Sequence, residues 1–189
     1  AAGLLGALSV MAALFQRDHD GQGARIDASM VQASMALMYP NASAFLTQRV
    51  EPQRVGNRGY TGSPTADTYR CKDGWLATAA NTPHQFRKMM GVLGLERLCE
   101  DGKAIDLAAF NAPGGGFVVA KNLAYLRQQF NSAFAEQSAA DMEQRLNEVG
   151  VPAARVRSLG EFLDEVDGTA KLTMPMRAYT QGQRNIRTP

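Results

Sequence analysis

The sequence predicts an α/β chain with a small α+β unit at its centre. Three observations carry that expectation. An Asp-Gly turn, Lys72-Asp73-Gly74, separates two β-prone runs, which is a hairpin signal. Several stretches carry apolar residues at helical spacing. Some of these helices open on capping residues followed three positions later by Gln, Asp or Glu. The chain has 189 residues, 45% hydrophobic and 20% charged, a mixture that suits folded rather than disordered protein. A net charge of +2 argues against a dedicated nucleic-acid binder, which concentrates basic residues on one face. The apolar stretch over residues 1–15 is interrupted by glycine and serine and is too short to span a bilayer. Two cysteines, Cys71 and Cys99, make no disulfide framework, so a reducing, cytoplasmic setting is expected.

In chain order, Leu4, Leu8, Met11 and Phe15 form a stripe along a helix over residues 1–18 that no capping residue opens. The other end, Asn185 to Pro189, has no terminating element, and both ends read as cuts in a longer chain, or as trimmed natural ends. A polar turn follows the helix through Gly21-Gln22-Gly23, and residues 24–28, alternating around Ile26, read as a short strand. Ser29 and Gln32 form a capping box for a Met- and Ala-rich helix that Pro40 stops or kinks. Residues 49–67 hold Arg49, Arg54, Arg58, three glycines and two prolines without periodicity, and so read as a long loop.

Strands are expected at 68–71 and 75–79. Thr82-Pro83-His84-Gln85 starts a helix whose apolar face is Phe86, Met89, Met90 and Leu93. Residues 95–116 look irregular and end in Pro113-Gly114-Gly115-Gly116. A helix from about Val118 to Gln137 follows, then one capped by Ser138, an extended run 151–156 and a short helix opened by the Ser158–Glu161 box.

Motifs for common chemistries are missing. Neither His19 nor His84 stands near a cysteine in sequence, and the two cysteines lie 28 positions apart, so no metal site is expected. The Gly114–Gly116 run lacks a following Gly-Lys-Ser/Thr, and Gly21-Gln22-Gly23 precedes a strand rather than following one. Asp27 and Asp73 read as structural. One candidate remains, the loop Gly56, Asn57, Arg58, Gly59, Tyr60 and Gly62. Its glycines let backbone approach a ligand closely, and Arg54 and Arg58 suit phosphate or carboxylate groups. Composition alone reads the same segment as a flexible linker with solvated arginines.

The order of the pieces resembles the class III coenzyme A-transferases, the family of formyl-CoA transferase, carnitine CoA-transferase and α-methylacyl-CoA racemase (CaiB/BaiF-like). The matching segments are Gly6 to Arg17, Gly21-Gln22-Gly23, Ile26 to Met30, Gly56-Asn57, Tyr69 to Trp75, Gln85-Phe86 before Leu93-Gly94, and Gly150 to Val156. The resemblance implies a fragment of that fold. Residues 1–28 would end a Rossmann-like large domain, 29–67 would form a linker with a helix and the glycine-rich loop, 68–160 the small α+β domain, and 161–189 a returning linker. It also implies an interlocked homodimer, acyl-CoA and a carboxylic acid as substrates, and CoA thioester as substrate rather than any permanently bound cofactor. No membrane or nucleic-acid partner is implied. The family's aspartate nucleophile aligns just before Ala1, so no catalytic residue is expected in this chain and the fragment alone should be inactive. The glycine-rich loop would close over the active site, although the family's transferases can carry a denser glycine run there.

Three functions follow. The first is CoA transfer from an acyl-CoA to a free acid. The second is racemisation of a 2-methylacyl-CoA, which needs acid/base partners and no acyl-enzyme. Racemases of the family carry a functional glutamate before the Gln-Phe pair, and Asn81 to His84 contains no acid, which favours the transferase. The third is a non-catalytic dimerisation module.

Overall fold

A computed structural model describes residues 1–59, 62–167 and 177–188. The chain divides into two compact units, Ala1–Arg54 and Val55–Pro189.

The first unit is helical. Helix α1 spans Ala2–Asp20 and stops at Gly21, whose left-handed backbone (φ 70°) turns its N–H back to the Arg17 carbonyl. Its stripe forms as expected, yet Leu4, Leu8, Met11 and Phe15 are each 65–80% exposed. Residues 24–28 form no strand. A lone extended run has no neighbour to take its backbone hydrogen bonds, so period-2 alternation alone does not make one. Helix α2 (Met30–Leu37) is capped by Ser29, which accepts from the Gln32 N–H. Pro40 breaks the helical run as expected: α2 ends at Leu37, and Pro40 sits in the first turn of an additional helix, α3 (Tyr39–Gln48). Of the helical residues in this unit, Ala33 alone is buried.

The second unit has a core. Strands β1 (Asp67–Cys71) and β2 (Gly74–Thr78) form the expected hairpin, with Tyr69 opposite Leu76. Strand β3 (Ala153–Arg155) pairs antiparallel with β2, giving the order β1-β2-β3. Helix α4 (Pro83–Leu93) has a reciprocal capping box between Thr82 and Gln85. A 3₁₀ turn (Glu96–Cys99) and a one-turn helix α5 (Leu107–Phe110) occupy the stretch expected to be irregular. Helix α6 runs over Leu123–Ala135, five residues shorter at its start than expected. Residues 118–121 are instead held extended: the Val118 N–H donates to the Asn81 carbonyl and the Asp106 N–H to Val119. Asn122 then caps α6 by accepting from the Tyr125 N–H.

Helix α7 (Ala139–Glu148) is not capped by the Ser138 side chain. Asp73 in the hairpin turn does that work, accepting from the Ala139 N–H at 2.7 Å and from Ser138 Oγ at 2.8 Å. These two hydrogen bonds, the backbone one first, hold its carboxyl below the usual range. The structural reading of Asp73 is thereby met. Helix α8 (Leu159–Asp167) opens on the expected Ser158–Glu161 box. A second hairpin, β4 (Arg177–Gln181) and β5 (Arg184–Thr188), is an addition to the expected elements.

Helices α4, α6 and α7 bury their apolar faces with β1 and β2 around five aromatic rings. Tyr69 stacks on Phe134 (centroids 4.7 Å apart) and meets Phe130 edge-on at 6.0 Å. Phe86 lies edge-on to Phe110 and Phe130.

Candidate functional site

The candidate loop enters the sheet through Ser63 to Ala66. Gly56 and Gly62 adopt φ of 68° and 73°, a conformation that favours glycine. The Gly59 N–H donates to the Ala66 carbonyl at 2.7 Å, and the Gly62 N–H reaches the Gly59 carbonyl at 3.3 Å. Asn57 Nδ2 lies 3.5 Å from Thr68 Oγ1, which ties the loop to β1. Arg58 is half-buried and turns its Nε–H back to the Val55 carbonyl at 3.1 Å. Arg54 is exposed. Tyr60 lies outside the described residues. The structure thus draws Gly56, Asn57, Arg58, Gly59 and Gly62 into one short loop fastened along β1.

The base of that loop carries polar groups that the sequence does not announce. Thr65 is fully buried, and its hydroxyl donates to the Ala80 carbonyl at 2.7 Å. Thr78 Oγ1 donates to the Thr65 carbonyl at 2.6 Å, and the Tyr69 hydroxyl donates to Pro64 at 3.1 Å. Burial pushes the Tyr69 hydroxyl far above its ordinary value, the neighbouring Asp67 charge adds to this, and Arg127 opposes it. Asp67 is buried; its Oδ2 lies 3.0 Å from Arg127 Nη2, off the hydrogen-bond axis, and its Oδ1 accepts from the Thr68 N–H. These contacts make a fixed floor: a buried hydroxyl that donates to a backbone carbonyl loses that bond if the floor shifts. The only possible sequence signal is the Ser63-Pro64-Thr65-Ala66-Asp67 run, whose hydroxyls and carboxylate suit local turns.

Among the described residues, no group of three or more His, Cys, Asp and Glu is placed to hold a metal, and no helix is long and apolar enough to cross a membrane. Both thiols are pushed up, chiefly by burial, so neither is an activated nucleophile.

The sequence model described as CoA-transferase family III matches residues 1–187. The chain belongs to that family. It is similar to the acetyl-CoA:oxalate CoA-transferase of Acetobacter aceti, with 24% identity over 152 residues, 80% of this chain and 36% of that protein. It is similar to the (R)-2-hydroxy-4-methylpentanoate CoA-transferase of Clostridioides difficile, with 23% identity over 98% of this chain and 44% of the relative. Over a shorter stretch of 100 residues it is 37% identical to human alpha-methylacyl-CoA racemase, covering 50% of this chain and 25% of that protein. The orthorhombic crystal structure of Rv3272 from M. tuberculosis superposes with a TM-score of 0.71 at 20% identity, covering 96% of this chain and 44% of the other. A CAIB/BAIF family protein from Brucella suis gives 0.63 at 22% identity, covering 86% and 40%. The mixed α/β fold with small sheets is therefore that of family III, and this chain spans less than half the length of each of these relatives.

Proposed function

We propose that the complete polypeptide moves CoA between an acyl-CoA thioester and a free carboxylic acid. The family membership of residues 1–187 carries this reading, and the transferase relatives support it. In the proposed reaction, an aspartate on the segment before Ala1 attacks the donor thioester. The C–S bond breaks, CoA thiolate leaves and a mixed anhydride forms. The thiolate then attacks the aspartyl carbonyl, releasing the donor acid as carboxylate and leaving an aspartyl thioester. The acceptor carboxylate repeats both steps in reverse order, which restores the aspartate and yields the new acyl-CoA. Covalent division of the transfer replaces one hard step with easier ones.

On this reading residues 1–28 end the large domain, 29–67 form the linker, 68–160 the small domain and 161–189 the returning linker. Two copies interlock, and the protein works in the cytoplasm. The Gly56–Gly62 loop closes over the anhydride and excludes water. The positive φ of Gly56 and Gly62 suits backbone rearrangement in this loop, while Asn57 and the hydroxyl floor fasten its base beside β1. The 189-residue chain by itself is inactive because the nucleophile lies outside it.

The racemase similarity favours a second reading, exchange of the α-proton of a 2-methylacyl-CoA. One experiment separates the two. The complete polypeptide is incubated in heavy water with a 2-methylacyl-CoA, a panel of acyl-CoAs and free dicarboxylic acids, and the products are read by mass spectrometry. New thioesters of the added acids are expected. Deuterium at the α-carbon without a new thioester would overturn the transferase in favour of the racemase.

A further inference from the structure

A cleft of about 300 Å³ opens between the first turn of α4 and the end of α5, and the glycine run after α5 forms its third side. Thr82, His84, Arg87, Phe110, Asn111 and Gly115 are among the residues that line it, and no Asp or Glu does. Arg87 is held in place from two sides. Its guanidinium carbon sits 4.3 Å over the Phe110 ring, and its Nη2 donates to Asn111 Oδ1 at 2.9 Å. Both supports are themselves fixed. Phe110 is buried and packs edge-on against Phe86, and Asn111 Nδ2 donates to the Leu107 carbonyl at 3.0 Å. Arg127, Arg155 and Arg157 in the same unit each face a carboxylate. Arg87 instead meets a neutral amide and a ring, and keeps N–H donors of its planar fork with no hydrogen-bond partner among the described residues. Another groove of similar size, between the β2–β3 end of the sheet and α7, is walled by Ala77, Ala79, Pro152, Ala153 and Ala154 and has no charged side chain.

We propose that the α4–α5 cleft is an anion subsite, in which Arg87 takes a carboxylate or phosphate group with His84 as a second donor. A stacked, pre-oriented guanidinium loses little freedom on binding and matches the two oxygens of such a group. The chemistry of CoA transfer offers two sources, the acceptor acid's carboxylate and the phosphates of CoA. Only the naming of these sources rests on the transferase reading; anion binding at Arg87 does not.

Calorimetric titration of the complete polypeptide with CoA, 3′-dephospho-CoA, succinate and succinamide tests it. Arg87→Gln should weaken binding of at least one anion by about tenfold or more, the size of losing one charge-assisted hydrogen bond. Loss for CoA with dephospho-CoA unaffected puts the 3′-phosphate in the cleft, and equal loss for both puts the diphosphate there. Loss for succinate, with succinamide not bound by either protein, puts a carboxylate there. Unchanged affinity for both CoA and succinate overturns the proposal, as does the absence of saturable anion binding by the wild type. Circular dichroism checks that the variant is folded; if it is not, Arg87→Lys, which keeps the charge and loses the fork, must give a smaller loss of the same pattern. A failed transferase reading would show instead as no new thioester in the heavy-water experiment, with the titrations intact.

Discussion

The two units spend similar sequence patterns differently. Helix α1 has a regular apolar stripe at Leu4, Leu8, Met11 and Phe15, and all four residues are exposed. Helix α6 has a comparable helical stripe at Leu126, Phe130 and Phe134, and all three are buried among Tyr69, Phe86 and Met142. Helical periodicity therefore reports that a face is meant to be covered, and not what covers it. Contact with β1 supplies the cover for α6. For α1 nothing among the described residues of its own unit does.

The contrast can be broken most severely at the core. Phe130→Ala removes a ring that meets both Tyr69 and Phe86, and should cost about 3–5 kcal/mol in urea unfolding, or abolish cooperative unfolding altogether. Next in size is Arg157, which ties α8 to α7. Its Nη1 and Nη2 each donate to Glu143 at 2.9 Å, and its Nε and Nη2 reach Glu165. Arg157→Ala should cost about 1–2 kcal/mol, since the pair is only partly shielded from water. The same clamp has a pH signature. Burial raises the Glu143 carboxyl, but the Arg157 and Arg155 hydrogen bonds outweigh it and hold the group below its ordinary 4.5. A depressed carboxyl stabilises the fold above its unfolded value and loses that contribution as pH falls through the folded one. Stability should thus drop below about pH 4.5, and Glu143→Gln should flatten that part of the curve in pH-dependent thermal melts.

Smaller still is the α4 cap. Thr82→Ala removes the acceptor for the Gln85 N–H and should cost about 1 kcal/mol in chemical denaturation, with most of it recovered by Thr82→Ser. The smallest effect belongs to the exposed stripe. Leu8→Ser in the 189-residue chain should shift stability by less than about 0.5 kcal/mol. A markedly larger cost of the same substitution in the complete polypeptide would reveal a partner surface on α1, which is how the difference between the units is sharpened.

Much of the second unit was legible because its signals are local. The Asp73-Gly74 turn, the Thr82–Gln85 box and the Ser158–Glu161 box each declare themselves within a few residues and appear as read. The failures are where a distant group decides. Ile26 has the alternation of a strand but pairs with no strand among the described residues. Val118 has helical spacing to Leu126, yet the Asn81 carbonyl takes its N–H and holds it extended. Strands β4 and β5 place Tyr179 opposite Ile186 within otherwise mostly polar runs, so their period-2 signal is faint. In the candidate site, the positive φ of Gly56 and Gly62 suits the freedom that suggested them. The Thr65 and Thr78 floor had no such mark, since their carbonyl partners stand 15 and 13 positions away. The cleft at Arg87 was hidden in the same way, with Asn111 24 residues further along.

The Asp73 cap has a consequence for the order of assembly. Its acceptor and the Ala139 N–H are 66 positions apart, and the Ser138 side chain does not replace it. A ten-residue helix is too short to hold itself in water, so the free segment should be largely coil. During synthesis the hairpin segment emerges 66 positions before the chain that its turn will cap. The first turn of α7 then closes on an acceptor contributed from the far end of the unit's sequence, and Asp73→Ala should leave α7 slower to form, read as a slower refolding rate.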